Sequence, residues 1–275
     1  MSGNIQIISP VDGSVLAERK LAGEAEILSA LQASETAQPG WKRTSIEDRA
    51  ILCHKAIDIM RDNTAALAEE ITRMMGRPVS QTPGEIRGME QRARYMIDIA
   101  EQVLADIEIK DTREPANDDN RFTRYIRHEP LGLVLVLAPW NYPYLTAINS
   151  IIPALMAGNT VVLKHSKQTL LCAERYDQAF SDAGIPAGVF QYLHLDHEHT
   201  SNLVRSDAVR FVSFTGSVNG GRAIERAAAG LFKGLALELG GKDPAYVMRD
   251  ADLDYSVANL VDGVYYNSGQ SCCSV

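Results

Sequence analysis

A doubly wound α/β fold is the architecture this sequence predicts, on three observations. A continuous apolar run over 131–138 reads as a parallel strand covered on both faces. Four further β-rich segments follow it, at 160–163, 189–193, 209–214 and 234–239. Helical patterns fall between them at about 144–157, 168–183, 197–206 and 218–231. The composition, 45% apolar and 23% charged over 275 residues, is ordinary for a globular chain and excludes general disorder.

Upstream of the sheet the elements are of another kind. Ile5, Ile7 and Ile8 run into Pro10-Val11-Asp12-Gly13-Ser14, whose Asp-Gly favours a tight turn, and residues 15–18 lead out as the second arm of a hairpin. Three amphipathic helices are expected next. The first, over 24–37, places Ile27, Leu28 and Leu31 on one side. The second, over 45–75, opens at Ser45-Ile46-Glu47-Asp48, which has the form of a capping box, and closes at Gly76 before Pro78. The third, over 84–107, aligns Ile86, Met89, Ala93, Met96, Ala100 and Val103 on one stripe. The polar stretch 110–120 reads as a surface loop and 121–128 as an exposed strand with basic side chains.

Charge and cysteine usage narrow the partners. With 27 Lys and Arg against 35 Asp and Glu, the formal net charge is −8, and no basic block offers a nucleic-acid surface. No apolar run approaches the roughly 20 residues of a membrane span. The start carries no secretory pattern, and Cys53, Cys172, Cys272 and Cys273 form no CxxC spacing, so a cytoplasmic chain with no bound metal is expected. His194, His197 and His199 read as a solvated loop and Met74, Met75, Met89 and Met96 as helix core. The sequence stops at Ser271-Cys272-Cys273-Ser274-Val275 without a polar tail or helix stop, from which a longer native polypeptide is expected.

In open α/β sheets ligands bind beyond the carboxyl ends of the strands, so those residues are the candidates. The first strand ends in Pro139-Trp140-Asn141-Tyr142-Pro143, where Asn141 is either an amide donor for an oxyanion or a loop residue satisfying its own turn. The second ends at Lys164, which can reach a ribose or phosphate or simply be solvated. The fourth runs through Phe214-Thr215-Gly216-Ser217 to Gly220-Gly221, a strand, turn and helix opening that can cradle a phosphate, although the spacing is not GxGxxG. The fifth ends in Glu238-Leu239-Gly240-Gly241-Lys242. Glu238, between leucines, is expected to be partly desolvated and fit to act as a base, or else paired with Lys242. Finally Gly269-Gln270-Ser271-Cys272-Cys273 suits a nucleophilic thiolate held by backbone N–H groups, or a structural thiol pair.

Taken in order, these five motifs closely resemble the NAD(P)-dependent aldehyde dehydrogenase superfamily over essentially the whole chain. The resemblance implies a Rossmann-like core over 131–250 that binds NAD or NADP. It also implies an N-terminal hairpin and helices over 1–120, an oligomerisation strand region over 121–135, and the start of a second, catalytic α/β domain over 251–275, most of which is missing. By the same resemblance Cys272 is the nucleophile, Asn141 an oxyanion donor together with the Cys272 backbone N–H, and Glu238 the base that activates water. Lys164 would contact the adenosine ribose. Gly216, Ser217 and Gly221 would sit beside the pyrophosphate, and Trp140 and Leu239 would line the cofactor.

The resemblance further implies a small aldehyde as substrate, a carboxylic acid as product, and a homodimer or homotetramer. One departure bears on cofactor choice. Where NAD-preferring members carry a glutamate three residues after the lysine, this chain has Lys167, which suits a 2′-phosphate. Residues 1–275 alone are expected to be weakly active or inactive. A CoA-acylating member and a silent nucleotide-binding module are the alternatives.

Overall fold

The computed structural model describes residues 3–109 and 124–275. Two antiparallel strands, β1 (Asn4–Ile8) and β2 (Val15–Lys20), form the expected hairpin, and the Asp12 carboxylate accepts from the Ser14 N–H inside the turn at 3.0 Å. Helix α1 (Glu24–Arg43) runs six residues beyond the expected end, through Pro39 and Gly40. It continues because Trp41 is buried, donating through Nε1 to the Leu155 carbonyl at 3.0 Å. Arg49 then accommodates the helix end, with its guanidinium donating to the carbonyls of Trp41 and Thr44.

The single helix expected over 45–75 is two. Helix α2 (Ile46–Asp62) begins at Ser45, whose hydroxyl accepts from the Asp48 N–H as the capping pattern predicts. Helix α3 (Thr64–Met75) ends at Gly76 in the left-handed region. The break falls at Asn63, whose side chain bonds back to the Ile59 carbonyl and competes with the helical ladder. The third helix divides likewise into α4 (Thr82–Asp98) and α5 (Ala100–Leu104). Met74, Met75 and Met89 are buried, as expected of core filler.

The loop expected over 110–120 lies outside the described residues, as do 121–123. Tyr125–Ile126 (β4) pairs with Ile107–Glu108 (β3) in a small exposed ribbon, whereas residues 133–135 belong to the buried strand β5 (Leu133–Ala138).

Beyond β5 the expected alternation holds: α6 (Pro143–Met156), β6 (Thr160–His165), α7 (Leu170–Ala183), β7 (Phe190–Tyr192), α8 (His197–Arg205), β8 (Val209–Gly216), α9 (Val218–Ala228) and β9 (Gly234–Leu239), after which comes a further helix, α10 (Leu253–Tyr265). The five strands are parallel in the order β7-β6-β5-β8-β9, so the chain winds outward in both directions from β5. Successive β5 residues serve opposite faces. Val134, Val136 and Ala138 pack with α2, α4, α6 and α7, while Leu133, Leu135 and Leu137 pack with α1, α8 and α9. Burial on both faces explains why this strand reads as an unbroken apolar run. Helix α10 buries none of its residues and leaves Leu253, Tyr255, Val257, Val261 and Tyr265 exposed. Among the described residues, no helix is long and apolar enough to cross a membrane.

Candidate active site

The carboxyl ends of β5, β6, β8 and β9 open into one cleft of about 1590 Å³, and the turn after α10 closes one end of it. Trp140, Asn141, Lys164, Lys167, Gly216, Ser217, Glu238, Leu239 and Cys272 all line this cleft. Gly221 lies behind the lining. A Cβ placed there would come 2.6 Å from Leu239 Cδ2, so the absent side chain lets α9 approach β9.

One part of the cleft is built from backbone and cations. The Ser217 hydroxyl caps α9 by accepting from the Gly220 N–H at 3.0 Å, and the Ser217 carbonyl accepts from Gly221. The N–H groups of Val218 and Asn219 therefore have no acceptor within the helix and face the helix's positive end. Gly216 and Gly220 pack beneath the Phe214 ring, where an added Cβ would meet the ring at 2.7 and 2.6 Å. The Lys164 ammonium, near the end of β6, makes no hydrogen bond to a described residue, and burial lowers its pKa from the usual lysine value. Exposed main-chain donors, a desolvated ammonium and the nearby Lys167 are the donor set that nucleotide hydroxyls and phosphates require. These residues fit the cofactor expected from the sequence.

His165, between the two lysines, is fully buried. Its Nε2 donates to the Pro143 carbonyl and its Nδ1 accepts from the Thr169 hydroxyl, both at 3.0 Å; burial pushes its pKa down to about 3. A neutral ring thereby ties the end of β6 to the start of α6.

The other part of the cleft carries the thiol. Residues Asn267, Ser268 and Gly269 take positive φ values of 55°, 55° and 72°, folding the chain sharply before Gln270. Asn141 Nδ2 donates to the Gln270 carbonyl at 2.9 Å, and the Tyr142 hydroxyl lies 2.5 Å from Ser271 Oγ. The loop after β5 is thus bonded to the turn carrying the cysteine, 129 residues away. One Asn141 amide hydrogen holds this turn, leaving the second for another acceptor.

Two expectations about electrostatics fail. Glu238 is exposed and makes no ion pair with Lys242, because it sits at the end of β9, an edge strand among the described residues, where flanking leucines do not cover it. The Cys272 thiol is also not eased toward thiolate. Partial burial and then the neighbouring Cys273 raise its pKa, outweighing the backbone N–H groups of residues 272 and 273 that act in the opposite direction. Cys272 and Cys273 are both exposed and free.

The histidine loop, expected to be solvated, is a third correction: His194 is buried with Nε2 3.0 Å from the Glu174 carboxylate, and His199 pairs with Asp196. Among the described residues, no group of three or more His, Cys, Asp or Glu side chains is placed to hold a metal ion.

Sequence reading missed two residues that the fold brings to the centre. Arg77 and Glu85 are both buried and paired with each other. Arg77 donates to Asn267 Oδ1 at 2.6 Å and to the Asn141 carbonyl at 2.9 Å, and its guanidinium lies 4.2 Å from the Tyr142 ring centroid. Glu85 accepts from the Tyr144 N–H at 2.9 Å, and its burial raises its pKa. A signal was present. Glu85 precedes Met89 and Ala93 by four and eight residues, so the helical stripe places a carboxylate among buried side chains.

The model of the aldehyde dehydrogenase family matches residues 1–275. The chain is 33% identical to the NAD(P)+ succinate semialdehyde dehydrogenase Sad of Escherichia coli over 267 residues, covering 97% of this chain and 56% of that protein. It is 34% identical over 269 residues to a betaine aldehyde dehydrogenase of Rhizobium leguminosarum, covering 98% and 54%. Among solved structures, an aldehyde dehydrogenase from Brucella melitensis biovar abortus superposes with a TM-score of 0.93 at 30% identity, covering 99% of this chain and 55% of that one. The succinic semialdehyde dehydrogenase of Streptococcus pyogenes in complex with NADP+ gives 0.91 at 27% identity, covering 98% and 58%. The chain spans a little over half the length of these proteins. On the match along its full length, the chain belongs to the aldehyde dehydrogenase family.

Proposed function

We propose that this chain carries the cofactor site, nucleophile and base of an enzyme that oxidises an aldehyde to a carboxylic acid with NAD+ or NADP+. The single observation that carries the reading is the convergence of Cys272, Asn141 and Glu238 on the cleft that also holds Lys164 and the capped start of α9. The relatives' names support the reaction class.

The Cys272 thiolate attacks the aldehyde carbon and forms a thiohemiacetal whose oxygen bears the negative charge. The free amide hydrogen of Asn141 and the Cys272 backbone N–H stabilise that charge; one aimed donor of this kind contributes about 3–4 kcal/mol in other enzymes. The nucleotide, when bound, supplies the hydride acceptor. Cys272 is left holding a thioester. Glu238 takes a proton from water, the resulting hydroxide attacks the thioester carbonyl, and the acid leaves as the Cys272 thiolate is restored. The exposure of Glu238 suits this role because water reaches it directly.

Lys167 beside the ribose site favours NADP+. Residues 251–275 read as the beginning of a catalytic domain, and a homo-oligomer in the cytoplasm is the expected setting. Incubating the whole encoded protein with a panel of aldehydes and each nucleotide, while following absorbance of the reduced nucleotide, tests the reading. Aldehyde-dependent reduction supports it; nucleotide binding without reduction by any aldehyde favours a silent binding module.

A further inference from the structure

We propose that Arg77 is a positioning residue that sets the distance between the oxyanion donor and the nucleophile. The proposal rests on the reading of Cys272 and Asn141 given above.

Three segments distant in sequence meet on this one guanidinium. Its Nε donates to Asn267 Oδ1 at 2.6 Å, its Nη2 to the Asn141 carbonyl at 2.9 Å, and its Nη1 to the Glu85 carboxylate. Each acceptor is anchored in turn. Asn267 is fully buried in a left-handed conformation, its N–H donating to Gln81 Oε1 at 3.0 Å and its Nδ2 to the Asn141 carbonyl at 3.2 Å. Glu85 fixes the first turn of α6 through the N–H groups of Tyr144 and Leu145. The Asn141 main chain is therefore gripped at its carbonyl by Arg77 and Asn267, while its side chain reaches the Gln270 carbonyl at 2.9 Å.

A planar fork with fixed donor directions is suited to this task in a way that a lysine is not. Replacing a buried ion pair by apolar groups is often neutral for stability, so the pair's contribution here is geometric. Arg77 does not line the cleft and touches no reacting atom. Its effect passes through the relative placement of Asn141 and Cys272, where displacements of the order of 1 Å cost about 100-fold in rate.

The test is made in the whole encoded protein with Arg77→Lys and with the double variant Arg77→Met, Glu85→Gln, which leaves no unpaired buried carboxylate. Four readouts are compared with wild type: kcat and KM for the aldehyde, nucleotide affinity by fluorescence titration, the rate of Cys272 alkylation by iodoacetamide, and the melting temperature. The expected result is a loss of kcat of about 100-fold in the double variant. Nucleotide affinity and Cys272 alkylation should stay within about threefold, and Arg77→Lys should recover part of kcat. A folded double variant with kcat within threefold of wild type overturns the proposal. So does a parallel fall of kcat, nucleotide affinity and melting temperature, which marks a purely structural residue. Cys272→Ser run alongside separates this inference from the reading beneath it. If Cys272→Ser keeps full activity, the reading fails and the positioning role goes with it; if Cys272→Ser is inactive while the Arg77 variants are unimpaired, the positioning role alone fails.

Discussion

The side-chain amide of Asn141 and the main-chain carbonyl of Gln270 are joined by a hydrogen bond of 2.9 Å, two residues before Cys272. This bond makes the oxyanion donor and the nucleophile turn a single unit, and only one amide hydrogen is left to meet a substrate oxygen. Replacing Asn141 by alanine should lower kcat by about 100–1000-fold with little change in aldehyde KM, since the donor acts on charge that develops after binding. Steady-state kinetics check this, and a loss below tenfold would remove Asn141 from the oxyanion site.

Lys167 lines the same cleft as Lys164, three residues along. A cation there attracts a 2′-phosphate, and a carboxylate repels it. Lys167→Glu should weaken NADP+ relative to NAD+ by about tenfold or more, a change of ~1.4 kcal/mol in relative binding. Titrating both nucleotides against wild type and variant gives the ratio directly. An unchanged ratio would place the 2′-phosphate elsewhere.

His165 supplies a pH dependence. Its pKa falls from an ordinary 6.5 to about 3 in the folded chain because burial desolvates the ring, outweighing the Pro143 carbonyl, which acts in the opposite direction. The unfolded chain therefore binds the proton more readily. The stabilisation is fully present above pH 6.5 and is lost as pH falls toward 3. The stability advantage of wild type over His165→Gln should accordingly shrink by about 1–2 kcal/mol between pH 6.5 and 5. Urea unfolding at the two pH values measures it, and an advantage that holds constant would contradict the assignment.

The sheet and the cleft were legible because their signals are local. Burial on both faces leaves β5 as an uninterrupted apolar run, and the turn at Gly216-Ser217 announces a helix start by its capping serine. The failures lie where an outcome depends on what packs over a residue. Leu237 and Leu239 flank Glu238 in sequence, yet they do not cover it at the end of a strand that lies at the sheet edge among the described residues. Asn63 interrupts a helix whose apolar stripe passes through the break unchanged. Arg77 looked like a residue between a helix stop and Pro78, and its partners Asn141 and Asn267 lie 64 and 190 residues away. Spacing along a chain carries no record of such meetings, although Glu85 on a buried stripe hinted that a cation was near.

The most direct test of the account is to look for the acyl group on sulfur. A Glu238→Gln variant of the whole encoded protein, mixed with aldehyde and nucleotide, lacks the base that releases the thioester. It should form about one equivalent of reduced nucleotide per site, and mass spectrometry of the digested protein should find the acyl mass on Cys272. An acyl group on Cys273, or undiminished turnover when Cys272 is replaced by alanine, would contradict the account.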